Sequence, residues 1–140
     1  PPGGGMLFEY DRVIPADTPA SSPVKLEMPL ARGIIHKAEA QFLFGCRGLV
    51  FVTIRRALHQ VIPNNPDGSL KAEGYVISFP LYYPLEEAPY KLEAYGWSPG
   101  TSFSHTITLR FGIEPREVLE PPRPELGFLK RLESLIFGRK

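Results

Sequence analysis

The sequence predicts a mainly β protein, an antiparallel β-sandwich or barrel-like domain of jelly-roll type, and three observations carry that expectation. Apolar residues recur at every second position in several short stretches, the period of a half-buried strand. Clusters of Gly, Pro, Asn and Asp interrupt those stretches at intervals of roughly ten residues. Amphipathic helices do not alternate with them, which argues against βαβ units and for strands paired with their antiparallel neighbours.

The chain has 140 residues, enough for one domain with a sizeable core. Its 16 Pro and 13 Gly exceed ordinary usage without a collagen-like period, so many turns and some extended segments are expected. Sixteen basic against fifteen acidic residues leave a net charge of +1. That balance excludes general attraction to nucleic-acid phosphates or to an anionic membrane, and neither is expected as a partner. Cys46 is the single cysteine, so no internal disulfide supports the fold, a usage that fits a reducing compartment. No apolar run approaches the roughly 20 residues that span a bilayer, and no basic-then-apolar leader opens the chain. A soluble protein outside the secretory route is the expectation.

Taken in order, PPGGG at residues 1–5 precedes Met6 and reads as a vector-derived remnant. Residues 6–31 contain the strand-like pieces LFEYDRVI and VKLEMPL on either side of a loop with Pro15, Pro19 and Pro23. Proline cannot donate to a ladder, so this segment is expected on the surface as an extended arm or a pair of edge strands. The sandwich is expected over residues 32–113. In GIIHKAEAQFLF, Ile34, His36, Ala38, Ala40 and Phe42 alternate with Ile35, Lys37, Glu39 and Gln41, which predicts a strand with the first set on one face. GCRG turns the chain, GLVFVTIRR reads as a central strand covered on both sides, and ALHQVI continues it or pairs beside it.

PNNPDGS gathers turn formers into a hairpin-type loop. EGYVISFPLYY and YKLEAYGW follow as strands, separated by PLEEAP, whose Glu86 and Glu87 read as a solvated loop. In FSHTITLRFGI, Phe103, His105, Ile107, Leu109, Phe111 and Ile113 are expected inward and Ser104, Thr106, Thr108 and Arg110 outward. Six or seven strands are expected in all. Residues 114–140 change character. EPREVLEPPRPE, with Pro115, Pro121, Pro122 and Pro124, predicts an extended, semi-rigid arm. ELGFLKRLESLIF then places Leu126, Leu129, Leu132 and Ile136 at helical spacing, with Phe128, Leu135 and Phe137 widening the stripe. A helix this short needs a surface on which to bury that stripe.

Chemistry-bearing motifs are sparse. His36, His59 and His105 fall on three different strands with no short ligand spacing, so no metal site is assigned. Cys46 in FGCRG has no histidine beside it to make it a nucleophile. Nucleophile-elbow, phosphate-loop and dinucleotide motifs are absent, so neither catalysis nor a cofactor is expected. The second half is rich in aromatics. If strand 90–97 buries Leu92 and Ala94, then Tyr95 and Trp97 point outward. With Tyr82 and Tyr83 they form a candidate recognition patch, for stacking on sugar or for a subunit interface.

A β domain running from GIIHKAEAQF through HQVIPNNPDG to HTITLRFGI, flanked by extended segments, resembles the decoration or cement proteins of tailed-bacteriophage capsids. The layout is similar to those of phages infecting thermophilic bacteria, and the Pro-, Leu-, Arg- and Glu-rich composition with few Asn, Gln and Cys is consistent with such a host. The resemblance implies a non-enzymatic protein, made in the host cytoplasm, that sits on the capsid exterior of the virion. It implies a homo-oligomer, a trimer, that binds the major capsid protein and ties neighbours together with its arms. Residues 6–31 and 114–140 would then carry the contacts. Pro121 and Pro122 would stiffen the arm, Leu126, Phe128, Leu129, Leu132, Leu135, Ile136 and Phe137 would anchor it, and Arg123, Lys130 and Arg131 would meet acidic patches. The alternative is a carbohydrate- or ligand-binding β-sandwich in which Tyr82, Tyr83, Tyr95 and Trp97 stack on sugar and Asn64, Asn65 and Asp67 supply polar contacts.

Overall fold

In the computed structural model, residues 5–119 are described; residues 1–4 and 120–140 lie outside the described part. The helical stripe and all twelve arm residues from Pro121 to Phe137 therefore fall outside it. The described chain forms β1 (Met6–Ile14), β2 (Val24–Pro29), β3 (Gly33–Phe42), β4 (Phe51–Arg56), β5 (His59–Ile62), β6 (Tyr75–Leu85), β7 (Lys91–Trp97), β8 (His105–Glu114) and the single helical turn α1 (Arg116–Leu119). Two four-stranded sheets result, in the orders β1-β8-β3-β6 and β2-β7-β4-β5, with every neighbouring pair antiparallel. Eight strands shared between two sheets in this order, with only the consecutive pair β4 and β5 staying in one sheet, make a jelly roll.

The core lies between the sheets. Ile107, Leu109, Phe111 and Ile113 of β8 bury as the alternation predicts, opposite Leu92 and Ala94 of β7 and Val52 and Ile54 of β4. Phe42, Met28, Ile14 and Leu85 complete the largest fully buried side chains around them. At about 25 cal/mol per Å² of apolar surface removed from water, such a row supplies most of the folding drive of a chain with no disulfide. ALHQVI does not extend β4. It turns back through Ala57 and Leu58 to pair as β5, and Ala57 takes a positive φ of 54° to do so. Together with the two N-terminal strands this brings the count to eight.

Three expectations need correction. His36 does not share the inward row of β3, because the ladder slips between Ile35 and Lys37. That bulge puts Ile35 in the core with Ala38, Ala40 and Phe42, and turns His36 toward Gly112 at the strand's half-exposed flank. Phe103 is not inward either: β8 begins at His105, and Phe103 sits 74% exposed on the preceding loop, where the Thr101 amide turns back to Ser98 O. Finally, residues 116–119 are not extended. Pro115 starts a helical turn in which the Val118 amide bonds to its carbonyl at 3.0 Å, a position where the missing proline N–H costs nothing.

The N-terminal pieces are edge strands, β1 on one sheet and β2 on the other, linked across the sandwich by the Tyr10 hydroxyl donating to Pro29 O. All four sheet edges are poor templates for a further strand. β6 carries Pro80 and Pro84 and β2 carries Pro29, each lacking an N–H, while β5 has only four residues. On β1 the inward row runs Phe8, Tyr10, Arg12, Ile14 opposite Phe111, Leu109, Ile107 and His105, so a charge interrupts an apolar row. Each device blunts an edge against strand addition.

Candidate functional site

Unequal strand lengths open the most distinctive site. The edge strands β6 and β5 face each other across the sandwich, but β6 has eleven residues and β5 four. The inner row of β6, Ile77, Phe79, Leu81 and Tyr83, packs on the core and stays half-buried for want of a full strand opposite. The gap is a groove of about 600 Å³ whose far wall is Val61, Ile62, Pro63, Asn64, Asn65 and Leu70.

That wall is held by one buried side chain. Gln60 Nε2 donates to Pro63 O at 2.9 Å, Asn65 O at 3.0 Å and Gly68 O at 3.2 Å, gathering loop 63–68 around a single amide. Asn64 Nδ2 donates to Val61 O at 3.2 Å and Asn65 Nδ2 to Asp67 Oδ1 at 3.3 Å, so these amides brace the turn that the PNNPDGS composition predicts. At the β6 rim, Arg116 Nη1 donates to the Tyr82 hydroxyl at 2.9 Å, while Arg116 Nη2 forms an ion pair with Glu86 Oε1 at 2.8 Å. The Arg116 hydrogen bond holds the Glu86 carboxyl below its ordinary value even though partial burial opposes it. A second cleft, about 460 Å³, adjoins at Tyr83 and is lined by Arg56, His59, Glu87, Lys91 and Glu93. The groove itself has an apolar floor, a rim of amides and phenols, and two tyrosines as its titratable groups. It is built to take apolar side chains or a ring, with a few hydrogen bonds to orient them.

The four aromatics expected as one patch divide. Tyr82 and Tyr83 line the groove, together with Asn64 and Asn65. Tyr95 and Trp97 lie on the other sheet, outward as expected from the burial of Leu92 and Ala94. There Trp97 stacks on Phe51 with centroids 5.9 Å apart, Lys71 covers Phe51 at 5.6 Å, and Arg55 covers Tyr95 at 4.9 Å. Neighbouring side chains occupy these ring faces, so the cluster reads as cross-strand packing with cation–π support. Glu27, Glu93, Lys25 and Lys91 continue the face as ion pairs. On the opposite outer face, Arg110 joins Glu9 at 2.7 Å, Glu39 at 3.4 Å and Gln41 at 2.6 Å.

The histidines do not converge: His36 lies at the β3 bulge, His59 at the β4–β5 hairpin and His105 at the start of β8. Among the described residues, no group of three or more His, Cys, Asp and Glu side chains is placed to hold a metal. Cys46 is buried in the turn between β3 and β4, and burial pushes its thiol up. Its turn is fixed by Glu73, which accepts the Gly45 and Arg47 amides at 3.1 and 2.5 Å. Among the described residues, no helix is long and apolar enough to cross a membrane.

No protein-family model matches the chain, and no curated protein sequence does. Among solved structures, it is similar to a chain from Bacillus endospore appendages, described as a novel family of disulfide-linked pili. That chain is 10% identical, with 81% of this chain and 92% of the other covered and a TM-score of 0.43.

Proposed function

We propose that this is a non-enzymatic assembly protein that binds the outside of a viral capsid as a homo-oligomer, a trimer. In this reading it stabilises the shell through segments that reach neighbouring subunits, the major capsid protein among them. One observation carries the reading: both sheets of the jelly roll are filled by Glu114, yet seven large apolar residues follow within the twelve positions 126–137. Those residues are not needed as strands, and an amphipathic segment that short gains stability only against another surface. Segments that engage neighbours turn weak contacts into effectively intramolecular ones, which suits a clamp on a repeating shell. Jelly rolls serve in capsid proteins, though they serve in lectins as well.

Light scattering on the intact chain and on one ending at Leu119, together with co-sedimentation with undecorated shells of a tailed phage, tests the proposal. A homo-oligomer that binds shells and loses both properties on truncation is the expected result. A single-chain mass at every concentration, with no co-sedimentation, overturns it.

A second reading is favoured by the meeting of Tyr82, Tyr83, Asn64 and Asn65 at one groove. In it the groove takes a sugar or another ring-shaped ligand. Saturable glycan binding by the chain ending at Leu119, abolished by Tyr83→Ala, would establish it in place of the first.

A further inference from the structure

We infer that the groove between β5 and β6 is the acceptor for residues 126–137 of a second copy of this chain, an inference that rests on the assembly reading above. The groove has an unmet need. On β3 and β8, the inner strands of the same sheet, the core-facing row is buried, while Ile77, Phe79 and Leu81 on β6 remain half-buried, with only the end of the short strand β5 and the loop after it opposite. Completing that burial returns free energy in proportion to the apolar area removed from water. Residues 126–137 have the matching need: their apolar positions fall on one helical stripe, and a segment of about three turns does not hold its helix without a partner surface.

The point of departure selects the second copy over the chain's own groove. Arg116 pins the start of α1 to Glu86 and to Tyr82, and Tyr82 is itself on the groove rim. The chain thus passes Leu119 from a tether already beside its own groove. Between Leu119 and Leu126 stand Pro121, Pro122 and Pro124. Proline fixes φ and favours an extended course of about 3.1 Å per residue, and six residues of such composition would span on the order of 20 Å. Return to the groove at hand needs a reversal of this extended run; delivery to a neighbour's groove needs none. Exchange of the same segment between copies closes a ring when the rotation between subunits closes, as in a trimer.

Photo-crosslinking of the full chain tests this. Leu129 is replaced by p-benzoylphenylalanine, heavy-isotope and ordinary pools are mixed, and the cross-linked peptides are identified by mass. Links joining heavy to ordinary chains at peptides covering 61–70 or 77–83 are expected. Links confined within one chain at those peptides overturn the inference in favour of a segment folded back on its own groove. Inter-chain links elsewhere, in a chain that light scattering shows to be oligomeric, overturn the acceptor site and leave the assembly reading standing. A single-chain mass with no mixed links overturns both. The Leu129→Asp, Leu132→Asp double variant alters only residues beyond the jelly roll, and its oligomer is expected to fall to single chains that lose helical circular dichroism signal while the strand signal of the jelly roll is kept.

Discussion

Replacing Gln60 by Met keeps the side chain's length and removes its amide, and its cost follows from the geometry. Two N–H groups serve three carbonyls, Pro63 O, Asn65 O and Gly68 O, all within 3.2 Å. Gln60 is only 9% exposed, so water does not readily take its place. Two net hydrogen bonds at about 1 ± 0.5 kcal/mol each give an expected loss of about 1–3 kcal/mol. For a chain of this size each kcal/mol lowers Tm by about 3–4 °C, so thermal unfolding shifts down by roughly 3–12 °C. Urea denaturation followed by circular dichroism gives the free energy, and amide chemical shifts of residues 63–68 show whether the loop has let go. Gln60→Glu is expected to do worse at pH 7, where a carboxylate faces three carbonyls. The deficit should narrow as pH falls and protonation restores one donor. A loss below about 0.5 kcal/mol for Gln60→Met, or a loss with no shift change in 63–68, refutes the view that this amide organises the groove wall.

Other outcomes follow from the packing and charge. At Gly33 a Cβ would lie 2.8 Å from Ile113 Cγ2 and 2.9 Å from the Glu114 carbonyl oxygen, a backbone atom, so Gly33→Ala should cost about 1–3 kcal/mol in urea titration. A neutral result would mean that β3 and β8 separate more freely than their ladder implies. The Glu73 carboxyl is held below its usual value, first by the Arg47 amide and then by that of Gly45, and burial opposes this only in part. A depressed folded-state value gives stability that is present above the unfolded value and is lost as pH falls through the folded one. Protection of the Gly45 and Arg47 amides in hydrogen exchange should therefore drop as the pH falls below the ordinary range of a glutamate carboxyl. Glu73→Gln, which keeps an acceptor without the charge, should flatten that dependence; protection that stays constant down to acid pH in the parent chain would disprove the tether. Arg12→Val completes an apolar row on edge strand β1 and should accelerate aggregation in static light scattering; an unchanged rate would show that β1 is protected by something other than its charge.

Much of the fold was legible because strand period and turn chemistry are local properties. β8 shows this best, since Ile107, Leu109, Phe111 and Ile113 alternate with polar residues and all bury. The position of His36 is hidden because a bulge leaves no mark in an alternating pattern: the core-facing residues before and after the slip, Ile35 and Ala38, are both apolar. Phe103 fits the alternation of β8 yet lies outside it, because periodicity cannot say where a strand begins. The site was half legible. Tyr82, Tyr83, Asn64 and Asn65 drew notice separately as aromatics and turn formers, but nothing in the chain order indicates that β5 and β6 face each other. The same long-range pairing puts Tyr95 and Trp97 on the other sheet. The role of Gln60 depends on three carbonyls of a loop beyond its own strand, and backbone acceptors carry no side-chain signature.

The four blunted edges bear on how this protein can be stockpiled. Strand addition is a contact that any copy can offer to any other without limit, so a chain that permits it can run on into fibres at high concentration. With prolines on two edges, brevity on a third and a charge on the fourth, that open-ended route is closed. Among the described residues, then, copies of this chain can be brought to high concentration without presenting one another a bare ladder on which a further strand could dock.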